Sequence, residues 1–394
     1  MKRVDAVKII RRTNKHLAST DRQLKFSKMA SGPFYLLRGD YATYLARCKG
    51  IFSAKKLATW CVGDLHAANF GAFTSGQGSL EFGLNDFDTG HIDDPRYDVL
   101  RMASSIVLLA AGNGLSRNQG YGLAVSFAQA YYDRIADCAR YPTLCTVPVT
   151  ADHLAATGPV CRWLHDLGRI DHDDQYRRKW LSGSKIRVIK GKTATISKRE
   201  YRAVADAVCA ATGSAVFDVV RRIAGTGSLG CARYYALTAQ GVILDVKENS
   251  NAESAVSAER YLLASPDLFA RSLEITLPGG KTKQFTLHRL NRCKASYPLL
   301  PERGKKIKKA LFLGDYGNFL RICRTWGTAL ASAHVLASER DPRLGSSFAK
   351  RALKVFGDRN SFSALLVSHA VKFARETDLD FKRFKRLYKH GRLK

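Results

Sequence analysis

Residues 57–73 read LATWCVGDLHAANFGAF: an apolar run that stops at Gly63-Asp64, with an asparagine five residues beyond the acid. LATWCV has the length and side-chain mix of a buried strand. After a Gly/Ser-rich turn at 75–79 comes SLEFGLNDFD, residues 79–88, in which LEFGL alternates and predicts a second short strand. The first strand delivers Asp64 and Asn69 to the loop at its end, and the second delivers Asp86 and Asp88. If the strands are adjacent, the two loops converge. Asp and Asn are common turn formers, so neither loop alone points to chemistry. Two such loops at this spacing do. Phosphoryl transfer needs a carboxylate to orient the attacking hydroxyl and oxygen ligands to hold Mg²⁺ against the phosphates. Asp64 suits the first role, Asn69 and Asp86 the second.

Outward from this stretch, Val99, Met102, Ala103, Ile106, Val107 and Ala110 recur at helical spacing, and a second helix is expected over roughly 119–138. Residues 177–199 hold nine Lys/Arg and no acid, and IRVIKGKTATI within them predicts a hairpin turning at Gly191. A helix near 199–210 leads into a β-rich stretch (DVVRRI, CARYYALT, VILDVK), followed by a hairpin at 272–290 and a long helix over 316–337. The order is helix-rich, β-rich, helix-rich. It predicts an α+β chain with a helical lobe over 1–200 carrying the acidic loops, a β-rich lobe over 201–292, and C-terminal helices with a basic tail over 293–394.

Gly225-Thr226-Gly227-Ser228-Leu229-Gly230 matches G-x-G-x-x-G, which alone is weak because glycine turns recur by chance. A dinucleotide-binding fold requires a helix directly after the glycines. Here CARYYALT, a Gln-Gly turn and VILDV follow, which is a hairpin. A glycine loop between two strands, with a lysine on the next strand, is instead the kinase arrangement. Lys247 stands there, at the end of VILDVK. Glu253 or Glu259, on a helix expected to begin near Asn251, could hold that lysine by an ion pair.

Composition narrows the function classes. Hydrophobic residues make up 45% and charged residues 25% of the 394, ordinary for a globular protein with a real core. The 64 Lys+Arg against 34 Asp+Glu give a formal charge of +30, a field that attracts nucleic acid, anionic lipid or nucleotide phosphates. Nine cysteines without a C-x-x-C pair support neither a zinc ribbon nor a disulfide framework; Cys48, Cys61, Cys138, Cys209, Cys231 and Cys323 are expected as small buried hydrophobes in a reducing compartment. No secretory apolar stretch and no membrane-spanning run is recognised, so a cytoplasmic location is expected. The cluster of His and Asp at 165–174 is expected to be a solvated loop rather than a metal site, and His334 a packed residue. Arg38 is equally suited to a phosphate contact or a structural ion pair.

G-D-L-H-x-x-N followed by D-F-D and then D-P-x-Y-D at 94–98 resembles the catalytic core of aminoglycoside- and choline-kinase-like phosphotransferases of the protein-kinase-like superfamily. KMASGPFYLLRGDY (28–41), GDLHAANFGAF, NDFD…DDPRYDVLRMASSI and RIAGTGSLG together more closely resemble the bacterial family called domain of unknown function 2252. The resemblance implies a two-lobed kinase-like fold without a settled substrate. Carried onto this chain, it makes Asp64 the catalytic base and places His66 where kinases have a transition-state-stabilising cation. It makes Asn69 and Asp86 metal ligands, lets Lys247 contact nucleotide phosphates, and has Asp98 brace the catalytic loop. Val62 replaces the histidine usual two residues before the base. Asp88 stands where protein kinases have glycine, with room to be an additional metal ligand. The glycine loop and lysine follow the acids instead of preceding them, which implies a circular permutation in which the helix WGTALASAH (326–334) packs beside residues 57–64.

The expectation is therefore an ATP- and Mg²⁺-dependent (or Mn²⁺-dependent) phosphotransferase acting on a hydroxyl of an anionic small molecule or a protein. Its rivals are AMP transfer on the same fold and a non-catalytic, basic nucleic-acid-binding or scaffold protein.

Overall fold

The computed structural model describes residues 1–52, 57–76, 78–147, 149–151, 154, 158–223, 231–267, 269–299 and 313–393. Four short helices open the chain: α1 (Ala6–Asn14), α2 (Ser19–Met29), α3 (Pro33–Gly39) and α4 (Tyr41–Cys48). The acidic segment follows as β1 (Thr59–Cys61), β2 (Phe70–Thr74), β3 (Leu80–Leu84) and β4 (His91–Asp93). Its strands form two small sheets, because β1 pairs with β4 while β2 pairs with β3. Asp64 and Asp86 thus leave strands of different sheets, not the adjacent strands expected from the sequence.

Helices α5 (Arg96–Gly112) and α6 (Arg117–Arg140) come next, then α7 (Pro159–Gly168) and α8 (His172–Trp180). Pro95 precedes α5, and Ser116 caps α6 by accepting the N–H of Gln119. The basic segment departs from expectation. The chain does turn at Gly191, with φ 73°, but no hairpin forms across it. Instead β5 (Leu181–Ser182) pairs with β6 (Lys185–Ile186), and β7 (Thr193–Ala194) leaves to pair with β8 (Val216–Arg222). Most of residues 165–174 are helical rather than loop: Asp171 caps α8, and Asp174 and Asp173 pair with Arg178 and Arg292.

The main sheet is antiparallel, with order β11-β12-β10-β9-β8-β7. It contains β9 (Arg233–Thr238), β10 (Ile243–Glu248), β11 (Arg271–Leu277) and β12 (Lys281–Arg289). One face is covered by α9 (Lys198–Thr212), whose Val204 and Val208 pack on Tyr234, Ala236, Leu244, Val246, Phe285 and Leu287. Because β7 already belongs to this sheet, the β-rich lobe begins some eight residues earlier than the expected boundary at 201. At the other end, β13 (Lys294–Ser296) pairs with β2 and returns the chain to the first body.

That body is completed by α11 (Tyr316–Arg340), α12 (Phe348–Phe356) and α13 (Arg359–Lys389). α11 lies against α6 so closely that a Cβ on Gly327 would meet the carbonyl oxygen of Phe127 at 2.4 Å. A small residue is required there by the approach of the two backbones. Trp326, Tyr131 and Phe319 fill the same core. Between the bodies runs α10 (Ala252–Leu262), with Ala258 and Leu262 buried in the helical core. All nine cysteines are free; Cys209 is exposed and Cys231 half-buried, against the expectation that both are buried. No helix among the described residues is long and apolar enough to cross a membrane.

Candidate functional site

Gly63 begins the site. Its φ of 84° lies in the region that favours glycine, and a Cβ there would stand 2.6 Å from the carbonyl oxygen of Thr89. The backbone therefore turns sharply just before Asp64, directly over the second acidic loop. Two carboxylate contacts hold the turn: Asp98, in the first turn of α5, accepts the N–H of Val62 at 2.6 Å and of Gly63 at 3.0 Å. The bracing role implied for Asp98 is what the geometry shows. Its carboxylate also meets His334 Nε2 at 3.3 Å, and the hydroxyl of Thr59 donates to the carbonyl of His334 at 2.8 Å. The long helix thus packs beside residues 57–64, as expected, and His334 is fully buried against Tyr131.

The two acidic loops are stitched to each other rather than to a common sheet. Asp64 donates its N–H to Thr89 Oγ1 at 2.8 Å, and that hydroxyl donates to the carbonyl of Val62 at 3.0 Å. Asn85 donates its N–H to the carbonyl of Asn69 at 2.9 Å. Asn69 is 4% exposed, and its Oδ1 accepts the N–H of His66 at 2.8 Å. One lone pair of the amide oxygen is therefore engaged in holding the loop.

Asp64 forms an ion pair with Arg101, whose guanidinium also donates to the carbonyl of Leu37 at 2.8 Å and stacks on Tyr41 and Tyr44. About a quarter of the Asp64 side chain (28%) stays open to solvent. Desolvation pushes its pKa up to about 6 against the attraction of Arg101, with nearby Asp86 adding repulsion. Asp86 is solvent-exposed, yet desolvation by the surrounding protein, together with the charge of its neighbour Asp88, raises its pKa. Asp88 shifts the other way. Desolvation would raise it, but the charge and hydrogen bond of Lys247 prevail and hold it below the ordinary carboxylate value.

Lys247 reaches this cluster from β10 and pairs with Asp88, 159 residues away in sequence. Neither expected glutamate holds it. Glu259 pairs with His288 at 3.2 Å, and Glu253 is exposed. Asp88 takes the place because the loop bearing it docks on the sheet. Asn249 donates to the Asp88 carbonyl at 3.1 Å, Ser254 donates to the Gly90 carbonyl at 2.6 Å, and a Cβ on Gly90 would meet the Ala258 Cβ at 2.2 Å.

His66 does not fit the role of a cation. It is 5% exposed, and desolvation, reinforced by Arg38 and Arg101, holds its pKa well below the usual imidazole range. It is a neutral ring packed edge-on to Phe34, with Nδ1 buried and unpartnered among the described residues. The glycine loop, Gly225, Thr226, Gly227, Ser228 and Gly230, lies outside the described residues. Thr89, Arg101, Asn249 and Ser254 were not singled out from the sequence. Only Arg101 left a signal there, as a lone arginine inside the apolar run VLRMASSI.

A second group of potential ligands, Cys61, Asp98 and His334, lies with its donor atoms within 4.8 Å of one another. Each already has a protein partner, since Cys61 donates to the carbonyl of Asp93 at 3.5 Å. Burial raises the thiol well above its ordinary value, which opposes the thiolate a metal needs. This cluster is the brace of the loop.

The chain matches the family model described as an uncharacterized protein conserved in bacteria (DUF2252) over residues 19–266, more than half its length, and it belongs to that family. The matched segment runs from the start of α2 to just past α10 and includes Asp64, Asn69, Asp86, Asp88, Asp98, Arg101 and Lys247, whereas His288 and His334 lie beyond it. Comparison with curated proteins gives no match, and comparison with solved structures gives none either.

Proposed function

We propose that the protein is a permuted, two-lobed, kinase-like phosphotransferase that moves the terminal phosphoryl group of ATP to a hydroxyl acceptor. One observation carries this: Lys247, on β10 of the six-stranded sheet, pairs with Asp88, and the charges of Asp64, Asp86, Asp88 and Lys247, drawn from two distant parts of the chain, act on one another where the acidic loops meet that strand. A carboxylate, two further acids and an ammonium at one place are what in-line phosphoryl transfer asks of a protein.

The donor set fits a magnesium ion. Asp86 and Asp88 are hard oxygen ligands whose mutual repulsion a divalent cation would relieve, and the loop of Asn69 is joined to theirs by the hydrogen bond from the Asn85 N–H to the Asn69 carbonyl. Bound Mg²⁺ would neutralise charge on the phosphate oxygens. Lys247 would hold a phosphate from the sheet side while keeping Asp88 ionised. Asp64, with a pKa of about 6, is ionised at neutral pH yet basic enough to take the acceptor proton. As the acceptor oxygen bonds to the terminal phosphorus, the bond to the bridging oxygen breaks, ADP leaves with the electron pair, and the proton passes to Asp64. Arg101 fixes the orientation of that carboxylate, and Asp98 fixes its backbone.

The test is a thermal-shift screen of the full chain with ATP, GTP and AMP, with and without Mg²⁺ or Mn²⁺. Binding to the folded state alone raises apparent stability. The expected result is a metal-dependent upshift with ATP that Asp86→Ala abolishes while its unliganded melting stays as in the parent. No upshift with any nucleotide overturns the proposal. The mass of the group found on an acceptor distinguishes phosphoryl from adenylyl transfer.

A further inference from the structure

Trp180, at the end of α8, carries two cations on one indole. Lys179 Nζ lies 4.7 Å from the ring centroid and the Arg222 guanidinium 5.3 Å from it. Arg222 is the last residue of β8 and is held in place. Its Nε donates to the Tyr235 hydroxyl at 3.0 Å and its Nη1 to the Lys192 carbonyl at 2.8 Å. Lys192 is brought there because β7 pairs with β8, setting Thr193 opposite Arg222. The turn before Thr193 is tied to the end of α8. Thr193 Oγ1 donates to the Arg187 carbonyl and accepts the Ile189 N–H, both at 2.7 Å, and Arg187 donates its N–H to the Trp180 carbonyl at 2.8 Å. Lys179, Arg187, Lys192 and Arg222 thus stand together although three separate elements supply them.

Among the described residues, none of these four cations makes an ion pair. The acids of α8 are engaged elsewhere, Asp174 with Arg178 and Asp173 with Arg292. Asp218, bonded into the same segment, accepts the backbone N–H groups of Ile186 and Val219. Desolvation lowers the pKa of Lys179, and the charges of Lys192 and Arg222 lower it further. Like charges fixed side by side repel, and an anion that meets them relieves the repulsion. The cluster sits on the sheet face turned away from α9. Tyr235 stands opposite both Val220 and Asp245, so Arg222 and Lys247, each two residues on from one of these, share its face. Their strands are two apart, about 10 Å at ordinary spacing.

We propose that Lys179, Arg187, Lys192 and Arg222 bind the phosphate backbone of a single-stranded nucleic acid. Two apolar side chains stand exposed among the cations. Val188, 59% exposed, follows Arg187, and Ile223, 47% exposed, donates its N–H to the Lys192 carbonyl at 2.8 Å. A single strand presents that combination, phosphates for the cations and unpaired bases for the apolar surface. An acidic peptide leaves the apolar members unused, and two aliphatic side chains are too little surface to anchor in a bilayer. The formal charge of +30 draws a polyanion to the protein as a whole, and the cluster fixes where it docks. The site stands independently of the phosphotransferase function.

Fluorescence anisotropy of the full chain with a labelled oligothymidylate of about 20 nucleotides, longer than one basic groove covers, tests this across a range of salt. The parent is compared with the double variant Lys179→Gln, Lys192→Gln. The control is Lys372→Gln, Lys389→Gln, which removes the same charge from exposed positions on α13. In the first variant, affinity should fall about tenfold or more and the log–log salt slope should shrink by about 1.4, with the control within about twofold of the parent. Both lysines of the first variant are exposed, so its melting curve should match the parent's. Equal losses in the two double variants would mean diffuse attraction by net charge and overturn the proposal. So would no oligonucleotide binding by the parent, or tighter binding of polyglutamate or of phosphatidylserine vesicles.

Discussion

Asp98 and His334, 236 positions apart in sequence, meet inside the helical body with Oδ2 and Nε2 3.3 Å apart. The same carboxylate accepts the backbone N–H groups of Val62 and Gly63, so one side chain joins the late helix to the loop that carries Asp64. Asp98→Ala strips both amides and the imidazole of a buried acceptor at once. The expected cost is about 2–4 kcal/mol in urea unfolding. A loss below about 0.5 kcal/mol, the level of an ordinary surface change, would contradict this bracing.

Gly63→Ala tests the turn itself. A Cβ there would lie 2.6 Å from Thr89 O and 2.9 Å from Thr89 Oγ1, on a backbone with φ 84°. Strain and displacement of the Asp86–Asp88 loop should together destabilise the fold by about 2 kcal/mol or more. Melting temperature reads this, and an unchanged value would show that the two loops are not pressed together.

The pKa of about 6 at Asp64 predicts the pH dependence of transfer. Below pH 6 the base is protonated, so kcat/KM should fall about tenfold per pH unit and level off above it. Asp64→Asn should retain nucleotide affinity and lose both the rate and this profile. A profile unaltered in Asp64→Asn would assign the base elsewhere.

Lys247→Met removes the partner that keeps Asp88 ionised. Affinity for Mg²⁺-ATP should drop tenfold or more. If the two residues act as a pair, Lys247→Met combined with Asp88→Asn should lose less than the sum of the separate losses. Additive losses would mean that the ion pair has no part in binding.

Asp40 gives a stability prediction away from the chemistry. It caps α4 by accepting the N–H of Thr43 at 3.1 Å, and burial pushes its pKa up to about 6 from an unfolded value of 3.8. Between those values the folded state binds more protons than the unfolded one, so this contribution to stability falls as pH rises from about 4 to 6. Asp40→Asn keeps a capping oxygen and removes the charge. It should stabilise the protein at pH 8 by at most about 3 kcal/mol, with the gain shrinking toward pH 4. A pH-independent effect in denaturant titrations at the two pH values would refute it.

Much of this was legible in the sequence because it is local. The strand at LEFGL, the helix beginning after Pro95, and the hairpin ending at Lys247 follow from periodicity and turn residues over short windows. So did the residue types at the ends of those strands, where Asp64, Asp86 and Lys247 sit. The failures are contacts between distant segments. The sequence offers Glu253 and Glu259 to Lys247 and gives no sign of Asp88, which takes the ammonium because its loop docks on Asn249 and Ser254 while Glu259 pairs with His288. The ionisation of His66 depends on burial beside Arg38 and Arg101, a property of the surroundings and not of the residue.

The order of residues along the chain settles which side chains are present and what local structure each enters, since propensity and turn chemistry act over a few neighbours. Which carboxylate takes the ammonium, which cation pairs with Asp64, and which ring is neutral are settled only when the bodies close on one another. Coulomb energy and desolvation depend on distance in space and on solvent access, and neither is written in the spacing of letters.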